Sequence, residues 1–258
     1  MPRTLSEIFV GIPDQGEMPV AGKSIDYETD MVTPRHSHKT AQLIYALSGV
    51  LVVSTEGGQW VVPPTRGIWM PAGVTHWVRM VGATQMRTLY IRTDAAPDLP
   101  TECKAVSISP LLRELILACI DLPRPYDPAS RSGRLVGLLL DELAILPTLP
   151  LSLPMPQDPA LRSICDTLAQ TPDDPTTLAD WATQLGIDAK TIQRRFGRET
   201  GMTFGEWRQQ VRVLAALEML AGGSKIIDVA LNLGYESPSA FSTMFKRQFG
   251  CAPTGFFG

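Results

Sequence analysis

DWATQLGIDAKTIQRRFGRETG, residues 180–201, recurs in looser form as DVALNLGYESPSAFSTMFKRQFG at residues 228–250. Asp180, Ala182, Leu185 and Gly186 return 48 residues later as Asp228, Ala230, Leu233 and Gly234. Ile192, Phe196 and Gly201 return 49 residues later as Phe241, Phe245 and Gly250. The one-residue slip falls in the turn between helices. Each copy is predicted as helix, short turn, helix. The alanine allows close packing and the glycine supports the sharp turn.

Helical text surrounds both copies. Asp158-Pro159 caps a helix whose Leu161, Ile164, Cys165 and Leu168 share one face. Thr177 opens the next, stopped by Gly186, and Asp188 opens a third, ending at Gly201. Thr203 with Glu206 forms a capping box and starts a longer helix running to Gly222-Gly223. Ser224 is predicted to cap a fifth helix, and Ser237-Pro238 a sixth. Trp181, Trp207, Leu214, Phe241 and Phe245 read as core.

Charge separates along this half. Residues 155–188 hold Arg162 against six aspartates, whereas residues 189–258 hold nine Lys/Arg against five Asp/Glu. The excess begins at AKTIQRRFGRET, where Lys190, Gln193, Arg194 and Gly197 lie opposite Ile192 and Phe196. Such side chains suit base edges in a major groove and neighbouring phosphates. The helix joining the copies spans roughly 27 Å. Two helices held at that distance suit successive major grooves, about 34 Å apart.

RRFGRETGMTFGEWRQQVRVLAALEML and DVALNLGYESPSAFSTMFKRQFGCAPTGF are the most specific text in the chain. Residues 158–257 resemble the DNA-binding domain of the AraC/XylS family of bacterial transcription regulators. The resemblance implies that Lys190, Thr191, Gln193, Arg194 and Arg198 meet DNA through the first recognition helix. It places Pro238, Ser239, Ser242 and Thr243 on the second, with Lys246 and Arg247 near phosphate. Family members commonly carry arginine or glutamine on that second helix, where this chain has Pro238 and Ala240.

PTLPLSLPMPQDP, residues 147–159, has five prolines in thirteen positions and is predicted as an extended linker. Before it lie short β-rich runs at 42–47, 50–54, 59–62, 67–70, 75–80 and 86–92, separated by turn signals. These predict an all-β barrel or sandwich. Helices follow from Ser109-Pro110 and over 131–146. The fold class is therefore α+β in two domains: 1–146, a linker 147–157, and an all-α domain 158–258.

The chain has three histidines, all in the first half: His36, His38 and His76. Two on one strand point to the same face, and a third after a Pro-Gly turn completes a set able to hold a divalent metal. With Gln42, Gly49, Pro71 and Gly73 this text resembles the cupin barrel. Gln42 stands where the cupin motif has glutamate, removing an anionic ligand. The candidate site is His36, His38, His76 and Gln42 with one divalent transition metal. The alternative is a polar effector pocket without metal.

Tyr45, Trp60, Trp69 and Trp77 are candidate effector-pocket residues, and equally read as core. RLVGLLLDELAIL, residues 134–146, is apolar beyond one face. It packs on the barrel wall, or pairs through Leu135, Leu139 and Leu143 with a second copy. The family resemblance favours the dimer.

Of the 258 residues, 44% are hydrophobic and 19% charged, a globular composition, and the formal net charge of −3 excludes a wholly basic coat. No apolar run reaches the ~18 residues of a membrane span. Residues 1–17 lack the apolar stretch of a signal peptide, and four scattered cysteines fit reduced thiols in the cytosol. The expected protein is a cytoplasmic, nucleoid-associated homodimer. Its expected partners are double-stranded DNA, a small-molecule effector and RNA polymerase, with no membrane contact and no catalysed reaction. The competing readings are a metal-dependent cupin enzyme with a regulatory tail, and a DNA-bound adaptor whose barrel binds nothing.

Overall fold

The computed structural model describes residues 18–64, 66–95, 97–149 and 151–256. The stretch 1–17 read above for a signal peptide lies outside the described residues, as does Pro150. Two compact units part between Ser152 and Leu153, and Glu56–Gln59, which includes the first two residues of a strand otherwise in the first unit, groups with the second.

The first unit contains β1 (Val20–Tyr27), β2 (Ala41–Ala46), β3 (Val50–Thr55), β4 (Gly58–Val62), β5 (Arg66–Met70), β6 (His76–Val81), β7 (Thr84–Ile91) and β8 (Lys104–Ser107). With β9 (Thr148–Leu149) and β10 (Ser152–Pro154) they form two sheets, ordered β1-β7-β2-β5-β8-β9 and β10-β4-β3-β6. Helices α1 (Pro110–Ile120) and α2 (Arg131–Ala144) complete the unit. Ser109 and Ser130 cap them, accepting from the N–H of Leu112 and Gly133.

Strand alternation divides the interior in two. Ala41, Leu43 and Tyr45 of β2 share a core with Leu112, Ile116, Leu139 and Leu143 of the helices. Gln42 and Ile44, between them, line a cavity among the strands. The helices sit close to the sheet because β1 carries Gly22. A Cβ there would lie 2.7 Å from the Ile120 Cα, nearer than side chains tolerate.

Neither β1 nor β8 is among the predicted runs. β1 contains Gly22, Lys23, Ser24 and Asp26, a weak strand composition. Continuous pairing with β7, from Val20–Ile91 to Tyr27–Thr84, overrides it. The proline-rich segment is extended. Thr148 and Leu149 pair with Val106 and Ala105, and the Met155 N–H donates to the Gly57 carbonyl at 3.3 Å.

The second unit is helical: α3 (Pro159–Gln170), α4 (Leu178–Leu185), α5 (Ala189–Thr200), α6 (Phe204–Ala221), α7 (Ile226–Asn232) and α8 (Pro238–Phe249). Asp158, Thr177, Asp188, Thr203 and Ser237 cap five of these with side-chain oxygens. Thr177 and Thr203 form full capping boxes with Asp180 and Glu206. Ser224 does not cap α7. Its N–H closes the end of α6 on the Met219 carbonyl, and Lys225 takes the N-cap position without a side-chain bond. Gly186 stops α4 at φ +63°, the left-handed conformation that favours glycine. Trp207, Phe196, Phe241 and Phe245 are fully enclosed, and Trp181 and Leu214 are buried, as the sequence predicts.

Candidate nucleic-acid interface and histidine cluster

The rotation of α5 follows from its apolar positions. Ile192 and Phe196 point into the core, with Phe196 edge-on to Phe204 and Trp207 at 5.9 and 5.8 Å. That leaves Lys190, Arg194 and Arg198 exposed, and Thr191 and Gln193 half-buried on the same outer side. The five residues implied by the family resemblance therefore form one accessible patch.

Arg195 and Glu199, one turn apart, do different work. Arg195 Nη1 reaches Asp158 Oδ2 at 3.1 Å. Glu199 Oε2 accepts the N–H groups of Gln157 and Asp158 at 2.9 and 3.0 Å. These bonds, the one from Asp158 foremost, hold the Glu199 carboxyl below the usual range. The recognition helix is thus fastened to the start of α3. Neither residue was among those predicted, although their i, i+4 spacing marks a single face.

On α8, Phe241 and Phe245 are the enclosed pair, so Ser239, Thr243, Lys246 and Arg247 are exposed and Pro238 and Ser242 half-buried. Gln209 of α6 donates to the Tyr235 hydroxyl at 2.8 Å, tying the turn before α8 to the joining helix. Arg208 and Arg212 of α6 donate to the Thr176 and Pro172 carbonyls at 3.1 and 2.9 Å. Those two cations brace the α3–α4 loop, so the basic excess offered to a partner is smaller than the sequence count suggests.

The three histidines converge. His36 and His76 face each other across an isolated β-bridge, their backbone N–H and carbonyl groups exchanging bonds of 3.0 and 2.8 Å. The ring centroids of His36, His38 and His76 lie 4.4 to 5.5 Å apart. One ring nitrogen from each falls within 4.8 Å of the others. His36 Nδ1 lies 2.8 Å from the Pro34 carbonyl, and His76 Nδ1 lies 3.0 Å from that of Val74. A carbonyl can only accept, so Nδ1 carries the proton in both rings and Nε2 keeps its lone pair.

Gln42 is oriented by the same reasoning. The Thr88 hydroxyl donates its one proton to the Leu43 carbonyl at 3.0 Å. It must then accept from the Gln42 amide nitrogen, 2.9 Å away, which leaves Gln42 Oε1 as the free acceptor. Oε1 and His76 Nε2 are both buried without a hydrogen-bond partner, and their residues line one cavity. Burial pushes the His76 pKa down to about 4, and desolvation lowers that of His36 as well. The lone pairs, the neutral rings and the orphaned amide oxygen all fit a cation. Two nitrogens on one tetrahedral zinc ion lie about 3.4 Å apart, so a pair at the full 4.8 Å spread must close by about 1.4 Å.

The cavity holds about 20 Å³, enough for one water or ion. Ile25, Thr33, Val78 and Tyr90 line it beside His36 and His76. None of the four aromatics expected at an effector pocket does. Tyr45 and Trp69 face the helices instead. Trp77 is half-buried with Arg35 stacked 4.2 Å from its ring, and Trp60 is buried on β4. Alternation is the physical reason. If Gln42 and His76 point inward, Tyr45 and Trp77, odd-numbered steps away on the same strands, point outward. Trp69 lines a different, larger cleft of about 310 Å³, with Ile91, Leu99 and Pro100.

The expected dimer contacts also need correction. Leu139 and Leu143 are 0% and 1% exposed, packed in the unit's own core, and cannot reach a partner. Leu135 is partly buried against that core, whereas Leu111, Leu138 and Ile145 are the exposed apolar residues of this region.

Residues 19–146 match the model of an AraC-like ligand binding domain, and residues 181–258 match a helix-turn-helix domain. The HTH-type transcriptional regulator NimR of Escherichia coli is 35% identical over 242 residues, covering 93% of this chain and 88% of that protein. The regulator RipA of Corynebacterium diphtheriae is 34% identical over 127 residues, covering 49% of this chain and 36% of that protein. ToxT from Vibrio cholerae shows a slight structural likeness: TM-score 0.38 at 12% identity, covering 93% of this chain and 98% of that one. A sheet-rich ligand-binding unit, two helix-turn-helix units on a joining helix, and near full-length similarity to NimR lead to one assignment: the chain belongs to the AraC family of DNA-binding transcription regulators.

Proposed function

We propose that this regulator reads operator DNA through Lys190, Gln193 and Arg194, and that it catalyses no reaction. The observation that carries the reading is the α5 patch, which is exposed and basic while the rear of the helix is fastened by Arg195 and Glu199. Arginine pairing with a guanine edge discriminates by about 1–3 kcal/mol. Arg194→Ala should therefore weaken binding to matched operator by that amount and leave scrambled duplex nearly unaffected. Equal binding of the wild-type chain to both duplexes would remove the reading.

The signal enters through the first unit. His36, His38, His76 and Gln42 would hold one divalent transition metal, a borderline ion such as zinc being suited to three imidazoles and a neutral oxygen. The ion would bring positive charge into the cavity and cross-link β6 to the segment carrying His36 and His38. The water-sized cavity supports this over a cupin enzyme, because an organic substrate has no room beside the histidines. An organic effector is better accommodated in the Trp69 cleft. Elemental analysis of untagged protein should find close to one metal per chain, abolished by His76→Ala. Wild-type protein still metal-free after exposure to zinc, nickel, manganese and iron would refute the site.

The exposed Leu111, Leu138 and Ile145 support self-association as a homodimer. RNA polymerase is the partner that regulation of transcription requires, and the cytoplasmic nucleoid is where both are met. Among the described residues, no helix is long and apolar enough to cross a membrane.

A further inference from the structure

The two recognition helices are built alike and equipped differently. Base edges are read chiefly from the first turns of a recognition helix. In α5 those turns present Lys190, Gln193 and Arg194, long side chains that bond base edges in pairs. In α8 they present Pro238, Ser239, Ala240, Ser242 and Thr243, none charged and none an amide. Serine and threonine accept or donate to any base, and alanine or a threonine methyl can do no more than touch a thymine methyl.

The cations of α8, Lys246 and Arg247, stand in its last turn, both exposed. That is the end remote from the base edges and nearer the flanking backbone. The caps differ as well. Asp188 places a carboxylate at the start of α5, its Oδ2 accepting the Thr191 N–H at 3.0 Å. A nearby phosphate would be repelled there. Ser237 caps α8 with a neutral hydroxyl, accepting the Ala240 N–H at 3.1 Å. The cap of α8 thus adds no charge of its own to the positive dipole end, although exposed Glu236 stands just before it.

We infer that the two units divide the labour: α5 reads sequence, while α8 anchors the duplex by its backbone. The operator is accordingly asymmetric, one major-groove segment strictly specified and its neighbour a helical turn away nearly free. This rests on the DNA-recognition reading above.

Selection of the full chain on random-sequence duplex, followed by binding to every single-base variant of the selected site, tests the inference. In one segment a base change should weaken binding about 5- to 100-fold, and in the other by no more than about threefold. Lys246→Ala should weaken all duplexes by a similar factor and lower the salt slope by about one. Arg194→Ala should flatten the penalties in the strict segment. Two segments with comparable penalties would overturn the division of labour and leave DNA recognition standing. No enriched sequence at all would overturn DNA recognition, and this inference with it.

Discussion

The two units place their polar chemistry on opposite sides of their cores. In the first, Gln42, Thr88 and His76 are turned inward and sealed among strands, each at most 3% exposed. In the second, the interior is mainly aromatic and aliphatic, with Thr200 and Gln210 as its buried polar residues, and Lys190, Arg194, Lys246 and Arg247 are turned to solvent. A strand places alternate residues on opposite faces, so a sheet can hold a polar row against an enclosed cavity and an apolar row against helices. A short helix has one buried stripe, and that stripe must be apolar for the unit to fold. The first unit is thus equipped to enclose something small. The second can only present a surface.

That contrast predicts a wide spread of mutational cost. The largest effect is expected where charge is forced into the first unit's apolar layer. Leu139→Glu should cost more than about 4 kcal/mol and unfold that unit, whereas Leu138→Glu on the same helix should leave its stability within about 0.5 kcal/mol. Thermal unfolding followed by circular dichroism compares them. A folded, merely monomeric Leu139→Glu protein would show that the residue belongs to an interface after all.

Next comes the enclosed histidine. The unfolded chain takes up a proton at this ring below about pH 6.5, the folded chain only below about 4. The stability from keeping His76 neutral is therefore complete above 6.5 and lost as pH falls towards 4, on the order of 3 kcal/mol. Urea titrations of metal-free protein across that range should show a loss that His76→Asn reduces. Parallel losses in both proteins would break the link to this ring. Zinc affinity should likewise persist below pH 6.5, because the site histidines whose pKa values burial lowers stay neutral there.

A smaller effect is expected at the outward-facing unit's fastening. Asp158 caps α3 and receives Arg195, so Asp158→Ala should cost about 1 kcal/mol. The melting temperature of the helical unit reports it. An unchanged melting temperature would mean that the fastening adds no stability. The smallest belongs to the exposed Arg162–Asp166 pair, 3.5 Å apart and one turn along α3. Arg162→Ala should change stability by about 0.3–0.5 kcal/mol, and a loss above 1 kcal/mol would mean that surface pairs matter more here than screening permits.

The helical unit was legible in the sequence almost to the residue. Asp158, Thr177, Asp188, Thr203 and Ser237 act as the predicted caps, and Ile192, Phe196, Phe241 and Phe245 are the predicted core. Helix hydrogen bonds join residues four apart, so caps, glycines and the 3.6-residue period carry the answer locally. Ser224 misled because the same serine can close one helix or open the next. The histidine set was legible too, but not its setting: His36 and His38 lie between β1 and β2 rather than on one strand, and His36 joins only an isolated bridge.

Tertiary structure alone decided how the first unit closes. β1 forms because β7, some 60 residues onward, offers a full edge, and β9 forms on β8 from a proline-rich segment with little strand character of its own. Only closure of the strands brings His36 against His76 and leaves the Gln42 oxygen in a cavity of ion size, with Tyr45 and Trp69 on the helix side. Strand pairing is non-local, so its register and its enclosed volume are properties of the assembled sheet, which no stretch of sequence carries by itself.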